Sequence, residues 1–278
     1  MRQDSPVQSP PDPISRPAAV DVVGVPVSVT DYERTLRWID AMVAERQRGY
    51  VCVCNVHTVM CSQEDPELRA ALMSSSLNVP DGQPLVWAMN ALGEPLRDRV
   101  YGPELMARTC ARAAAVTGHR MYLYGGRERD QAALARLEES LRRRFPGINI
   151  VGTHAPVFRP LTEAERAAVA KDINESEADV VWVGLGVPRQ EKWMLAMRPY
   201  LEAPVLIGVG AAFDFLAGLV PQAPPQLQKA GLEWAYRLAQ EPRRLWRRYL
   251  RYNPRFVAAF ARQLAAHRAG GPSRTPDH

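Results

Sequence analysis

Six short segments of this chain read as strands: Tyr50–Cys54, Leu77–Val79, Arg120–Tyr124, Asn149–Val151, Asp179–Gly184 and Pro204–Gly208, several of them apolar throughout. A strand with one wet face alternates polar and apolar residues. A strand without that alternation is buried on both faces and needs helices above and below it. Helical patterns separate these segments, so the sequence predicts an α/β fold with a largely parallel sheet flanked by helices. At 278 residues the chain can hold one large α/β domain with an appendage.

Local signals place the helix ends. Thr30 with Glu33 and Thr162 with Glu165 have the spacing of capping boxes. Asp65-Pro66 and Gly102-Pro103 put proline where a first helical turn tolerates it, and Gly118 stops the helix that begins near Pro103. Val22–Val29, interrupted by Gly24 and Pro26, reads as a small irregular strand pair ahead of the main fold. After Gly208 the alternation ends and helices dominate, with a division near Pro221–Pro225. The expected organisation is a disordered proline-rich tail over 1–19, an α/β core over 20–225, a basic amphipathic helical appendage over 226–268 and a second tail over 269–278.

The appendage carries the whole net positive charge. From Gln228 to Arg268 ten Lys/Arg stand against Glu233 and Glu241, a balance of +8 in a chain of +5, which leaves −3 for everything else. On a helix at about 100° per residue, the five arginines of Arg243–Asn253 fall within about 140°. Leu245, Trp246, Tyr249, Leu250 and Tyr252 fill about 160° of the other side. Such a helix fits an anionic surface, its aromatic residues suiting a lipid headgroup boundary; the blander alternative is a helix that packs its apolar face on the core and solvates its charges. No run of 18 apolar residues exists to span a membrane. The proline-rich start has no apolar stretch and is unlike a secretion signal. Cys52, Cys54, Cys61 and Cys110 read as reduced cytoplasmic thiols, without the second ligand pair a zinc site needs.

In a parallel sheet, ligands collect at the carboxyl ends of strands. Asn55 follows the first apolar strand and reads first as a turn residue. Pro80-Asp81-Gly82 is a turn signal whose carboxylate has the alternative of accepting a proton from a substrate hydroxyl. Gly125 and Gly126 permit close backbone approach to a phosphate. Gly184, Gly186 and Pro188 lead from a strand into a helix whose first N–H groups would face an anion. Asp214 sits among apolar residues, where helix capping is the alternative role. There is no G-x-x-x-x-G-K-[ST] loop, no G-x-S-x-G elbow and no D-x-D pair to hold a metal on a diphosphate.

Six of these segments in order, Asn55-Val-His, Pro80-Asp-Gly, Arg99-Val-Tyr-Gly, GLGVPRQEKWM (184–194), GVGAAFDFLAG (208–218) and GLEWAYRLAQEPRRLWRRY (231–249), resemble the bacterial WecG/TagA/CpsF glycosyltransferases. The resemblance implies an inverting, metal-independent transferase without cofactor. It would move a hexose or N-acetylhexosamine, often N-acetylmannosamine, from a UDP-sugar to a polyprenyl-diphosphate-linked sugar during assembly of a cell-surface polysaccharide or teichoic acid. Asp81 matches the family's general base and Arg99 its arginine near the reacting phosphate. The donor is expected at Asn55, Gly125, Gly126, Gly184, Gly186, Gln190, Glu191 and Asp214. Arg237, Arg244 and Arg247 match appendage arginines that reach the site. Arg243, Arg248, Arg251, Arg255, Trp246 and Tyr249 are expected to face anionic lipid on the cytoplasmic side of the membrane. Val53 stands where the family often carries threonine, and Arg189 where lysine is common.

Two rivals belong to other classes. An Arg/aromatic helix also suits phosphate backbones, but the −3 of the remaining chain would not extend a basic groove, so no nucleic-acid partner is expected. A Rossmann oxidoreductase would need the opening glycine fingerprint that this chain lacks.

Overall fold

The structure, a computed structural model, describes residues 16–126, 130–157, 159–224, 226–227 and 231–270. Most of the expected first tail and all but 269–270 of the second lie outside the described residues. A two-stranded antiparallel hairpin, β1 (Ala19–Val22) and β2 (Val25–Ser28), opens the described chain. The main sheet has six parallel strands: β3 (Gly49–Cys54), β4 (Leu77–Pro80), β5 (Arg120–Gly125), β6 (Asn149–His154), β7 (Val180–Gly184) and β8 (Val205–Gly208), in the spatial order β4-β3-β8-β7-β5-β6. β3, β4, β7 and β8 are buried along their whole length, as the absence of alternation predicts. The edge at β4 is covered by the hairpin, where the Asn78 N–H donates to Ser28 Oγ at 3.1 Å and its amide to the Pro26 carbonyl at 2.9 Å.

Helices cover both faces. On one lie α1 (Tyr32–Ala44), α5 (Gly102–Arg112), α6 (Gln131–Arg144) and α9 (Ala212–Leu216). On the other lie α2 (Val56–Ser62), α3 (Pro66–Met73), α4 (Gln83–Ala91), α7 (Glu163–Glu175) and α8 (Arg189–Met197). Asp65 caps α3 with Pro66 in its first turn, Thr162 and Glu165 form a capping box, and Gly118, at φ +67, closes the helical run that begins at Gly102. Two starts differ from expectation. Asp31, not Thr30, caps α1: its backbone is extended and its carboxylate accepts from Arg34 N–H at 2.8 Å, while the Thr30 hydroxyl turns inward to Thr35. Pro188 precedes α8 rather than opening it, because its ψ of 2° lies outside the helical region.

The basic segment forms α10 (Glu233–Gln240) and α11 (Pro242–Gly270), the latter running through Pro254. α11 is turned differently from the angular reading. Leu245 and Phe256 are buried, and Tyr252, Phe260 and Leu264 pack on the core beside them, while Trp246 and Leu250 point outward next to Arg243 and Arg247. The reason lies downstream: the stripe through Phe256, Phe260 and Leu264 sets which side of a 29-residue helix meets the core, and an eleven-residue window does not contain it. Gln263 then ties the helix to the hairpin, accepting from Val23 N–H at 2.8 Å and donating to the Asp21 carbonyl at 2.7 Å.

Candidate active site

The carboxyl ends of β3, β4, β5, β7 and β8 converge on a cavity of about 470 Å³, lined by Asn55, Asp81, Gly126, Gly184, Gly186, Gln190, Asp214 and Arg237 among others. A smaller cavity of about 130 Å³ opens between α2, α4, α10 and α11, and Arg99, Glu233, Trp234 and Tyr252 are among its walls. Asn55, Asp81, Arg237 and Arg248 line both. Asp81 therefore stands where the two spaces meet.

Strand pairing puts it there. The Asp81 N–H continues the β3–β4 ladder to the Cys54 carbonyl at 2.7 Å, and the Val100 N–H binds the Pro80 carbonyl at 2.7 Å, which lays the Arg99 segment beside it. Asp81 Oδ1 accepts from the Gly102 N–H at 3.0 Å and Oδ2 from the Asn55 amide at 3.3 Å. Asn55 is held in turn, its Oδ1 capping α2 through Thr58 N–H at 3.2 Å. Its turn role and its site role are thus the same geometry. Burial pushes the Asp81 carboxyl up to about 6; Glu233 adds to the rise, while Arg99, the Gly102 N–H and Asn55 oppose it. Burial also works against the charge of Arg99, but the neighbouring Glu233 and Asp81 hold its guanidinium above the ordinary range. Arg99 meets Glu233 at 2.7 Å and lies 4.3 Å from the centre of the Tyr101 ring.

On the opposite wall the glycines allow contacts that a side chain would block. A Cβ on Gly125, where φ is +143, would lie 2.6 Å from the Gly184 backbone, and the Gly126 N–H reaches the Gly184 carbonyl at 3.0 Å. Gly125 thus shapes the wall without being among its lining residues. Gln190 is buried, its Oε1 accepting from Gly186 N–H at 3.2 Å and its Nε2 donating to Glu191 Oε1 at 2.9 Å. A Cβ on Gly208 would stand 3.1 Å from that Nε2, so the small residue makes room for the carboxamide.

Several expected site residues are placed differently. Glu191 has no exposed surface and does not line the cavity; as the third residue of α8 it points into the core, and burial raises its carboxyl to about 7. It acts on the cavity only through Gln190. Arg247 is exposed, its guanidinium 5.3 Å from the Trp246 ring centre, and does not line either cavity; Arg248, one residue on and turned inward, lines both. Tyr249 lines the smaller cavity, edge-on to Trp234 at 5.8 Å, instead of facing outward. Arg251 and Arg255 remain half exposed, but both guanidinium groups turn to Glu64 at the end of α2. The Arg244 side chain lies outside the described residues. Glu233, Tyr101 and Phe213, which were not expected, join the site; nothing in one of two acids among ten basic residues marks it as buried. All four cysteines are free, and among the described residues no group of three His, Cys, Asp or Glu is disposed to hold a metal.

Residues 20–270 match the family model described as "Glycosyl transferase WecG/TagA/CpsF family". Over 215 residues the chain is 31% identical to the N-acetylglucosaminyldiphosphoundecaprenol N-acetyl-beta-D-mannosaminyltransferase of Bacillus spizizenii strain W23, covering 77% of this chain and 79% of that protein.

Proposed function

This chain belongs to the WecG/TagA/CpsF glycosyltransferase family, and on that premise we propose that it transfers an N-acetylmannosamine-type sugar from a UDP donor to a sugar on a polyprenyl diphosphate, with inversion at the anomeric carbon. One observation carries the reading: the Asp81 carboxylate stands between two cavities, held by two neutral donors, with a proton affinity near 6. A base so poised is ionised at neutral pH, yet takes a proton more readily than an ordinary aspartate.

The larger cavity is of a size for a nucleotide sugar. The donor lies against Gly126, Gly184, Gly186, Gln190 and Asp214, and the acceptor sugar enters the smaller cavity, beside Asn55 and Trp234. Asp81 takes the proton of the acceptor hydroxyl as that oxygen bonds to the anomeric carbon. The bond from that carbon to the diphosphate breaks on the opposite side, and UDP departs with the electron pair. Attack and departure on opposite faces give inversion. Arg237 and Arg248, lining both cavities, offset the charge developing on the leaving diphosphate.

Among the described residues no helix is long and apolar enough to cross a membrane. The lipid-linked acceptor is met instead at the outward side of α11, where Trp246 is 47% and Leu250 67% exposed beside Arg243 and Arg247. The deciding test offers UDP-N-acetylmannosamine and other UDP-sugars with a short-chain polyprenyl-diphosphate N-acetylglucosamine, recording UDP release and product mass. A product heavier by one N-acetylhexosamine, with a β linkage by NMR, is expected. Folded protein that transfers from none of these donors would overturn the reading.

A further inference from the structure

We propose that Glu233, carried into the site by α10, is a positioning residue for the Asp81–Arg99 pair: its carboxylate holds the Arg99 guanidinium and balances its charge, so that Asp81 keeps its strength as a base. This rests on the reading of Asp81 as the general base.

The geometry is built for such a contact. Glu233 Oε2 lies 2.7 Å from Arg99 Nη2, and each side chain is only 10% exposed. The approach of α10 is fixed two residues earlier. Gly231 has φ +69, and a Cβ there would stand 3.2 Å from Gln83 and 3.3 Å from the Trp87 ring. Gln83 opens the helix that follows Asp81-Gly82, so the backbone entering α10 is seated on the element that leaves the base. Arg99 is closed from the other side by the Tyr101 ring.

A buried acid in a site for diphosphates needs a reason. It would repel the substrates, and a buried ion pair returns little net stability once both partners have been desolvated. The reason lies in what Arg99 would do alone. An arginine near a carboxylate lowers its pKa by about 1–3 units, which would leave Asp81 a weak base. Glu233 counters that pull. Other ionisable groups facing Asp81 are Cys54 on β3, Tyr32 on α1 and Tyr101 ahead of α5; its cavities are shared by His57 on α2, Arg189 on α8, Asp214 on α9, Arg237 on α10, Glu241 between α10 and α11, and Arg248, Tyr249 and Tyr252 on α11. Glu233 is the acid that closes on the Arg99 guanidinium at 2.7 Å, and Asp81 acts on it as well.

The test is the pH dependence of kcat in the full-length chain, with UDP-N-acetylmannosamine and the short-chain lipid acceptor, for wild type, Glu233→Gln, Glu233→Ala, Glu233→Asp and Asp81→Asn. The wild-type acid limb is expected near the Asp81 value of about 6. In both neutral variants it should move to lower pH by about one unit, with kcat falling on the plateau, and the aspartate variant should keep it near wild type. Two neutral variants are used so that one failing to fold leaves the other to report. A plateau that falls while the limb stays in place assigns Glu233 a packing role only and overturns the proposal. Near-normal turnover of Asp81→Asn overturns the base assignment together with the proposal. Loss of turnover in Asp81→Asn with an unmoved limb in the neutral variants overturns the tuning alone.

Discussion

Replacing Glu191 with glutamine should make this protein more stable above neutral pH and almost unchanged in mild acid. Glu191 has no exposed surface; one carboxylate oxygen accepts from Gln190 at 2.9 Å and the other has no hydrogen-bond partner. Burial raises the group from 4.5 to about 7. A carboxyl with a raised folded pKa holds its proton more tightly folded than unfolded, so between about 4.5 and 7 the native chain keeps a proton the unfolded chain has released. Stability then falls as pH rises through that window, and the loss is complete above it. At 1.36 kcal/mol per unit, a displacement of about 2.5 units is worth about 3 kcal/mol. Glutamine has the same shape and cannot ionise, so it removes this slope, but its unpartnered amide costs about 1 kcal/mol at any pH. The expected net gain is about 2 kcal/mol at pH 8, or roughly 4–8 °C in melting temperature, shrinking to almost nothing at pH 5, where the wild-type loss and the amide cost, each about 1 kcal/mol, offset one another. Urea titrations of both chains at half-unit steps from pH 5 to 8 measure it. Other groups titrate in the same range, Asp81 among them, but they are common to both chains, so the difference between the curves isolates Glu191. A difference that stays flat across the window would show that the carboxyl is not buried as a proton-holding group, and the reasoning would fail.

Asp81→Asn should lower kcat by about 10²–10⁴-fold while leaving UDP affinity within a few-fold, because the amide keeps size and loses the basic oxygen; calorimetric titration with UDP alongside kinetics separates the two. Gly125→Ala should weaken donor binding and lower the melting temperature, since its Cβ would meet the Gly184 backbone at 2.6 Å; an alanine chain with unchanged UDP affinity would refute that account of the wall. Transfer should survive excess EDTA, because the chain has no D-x-D pair to hold a metal on a diphosphate; activity lost to the chelator and restored by Mg²⁺ or Mn²⁺ would reveal another carboxylate site. The double change Trp246→Ala with Leu250→Ala should release the protein from anionic vesicles in a sedimentation assay and spare turnover on a water-soluble acceptor. Arg251→Gln with Arg255→Gln should loosen α11 from α2 by removing both partners of Glu64, seen as a lower melting temperature, and equal stability would show those pairs to be idle.

The sequence alone determined the sheet, because burial on both faces removes alternation, and that signature is local to each strand. It determined most helix starts for the same reason: a cap is a bond between residues three apart, as at Asp65 and Thr162. It also marked Asn55, Asp81 and Asp214 as residues at strand ends, where a parallel sheet gathers its ligands, while Gln190 stood out through the family resemblance. What it left undecided was direction. Whether Glu191 or its neighbour Gln190 meets the cavity is one residue's rotation on α8, about 100°. Whether Arg247 or Arg248 does so, and whether Trp246 faces out while Leu245 faces in, depends on how α11 is seated by Phe256, Phe260 and Leu264 far along the helix. Arg99 and Glu233 stand 134 positions apart, and no pattern in either stretch announces their contact. Periodicity within a segment reports that a helix has a buried side; the packing of separate segments decides which side that is, and so which charges share a site.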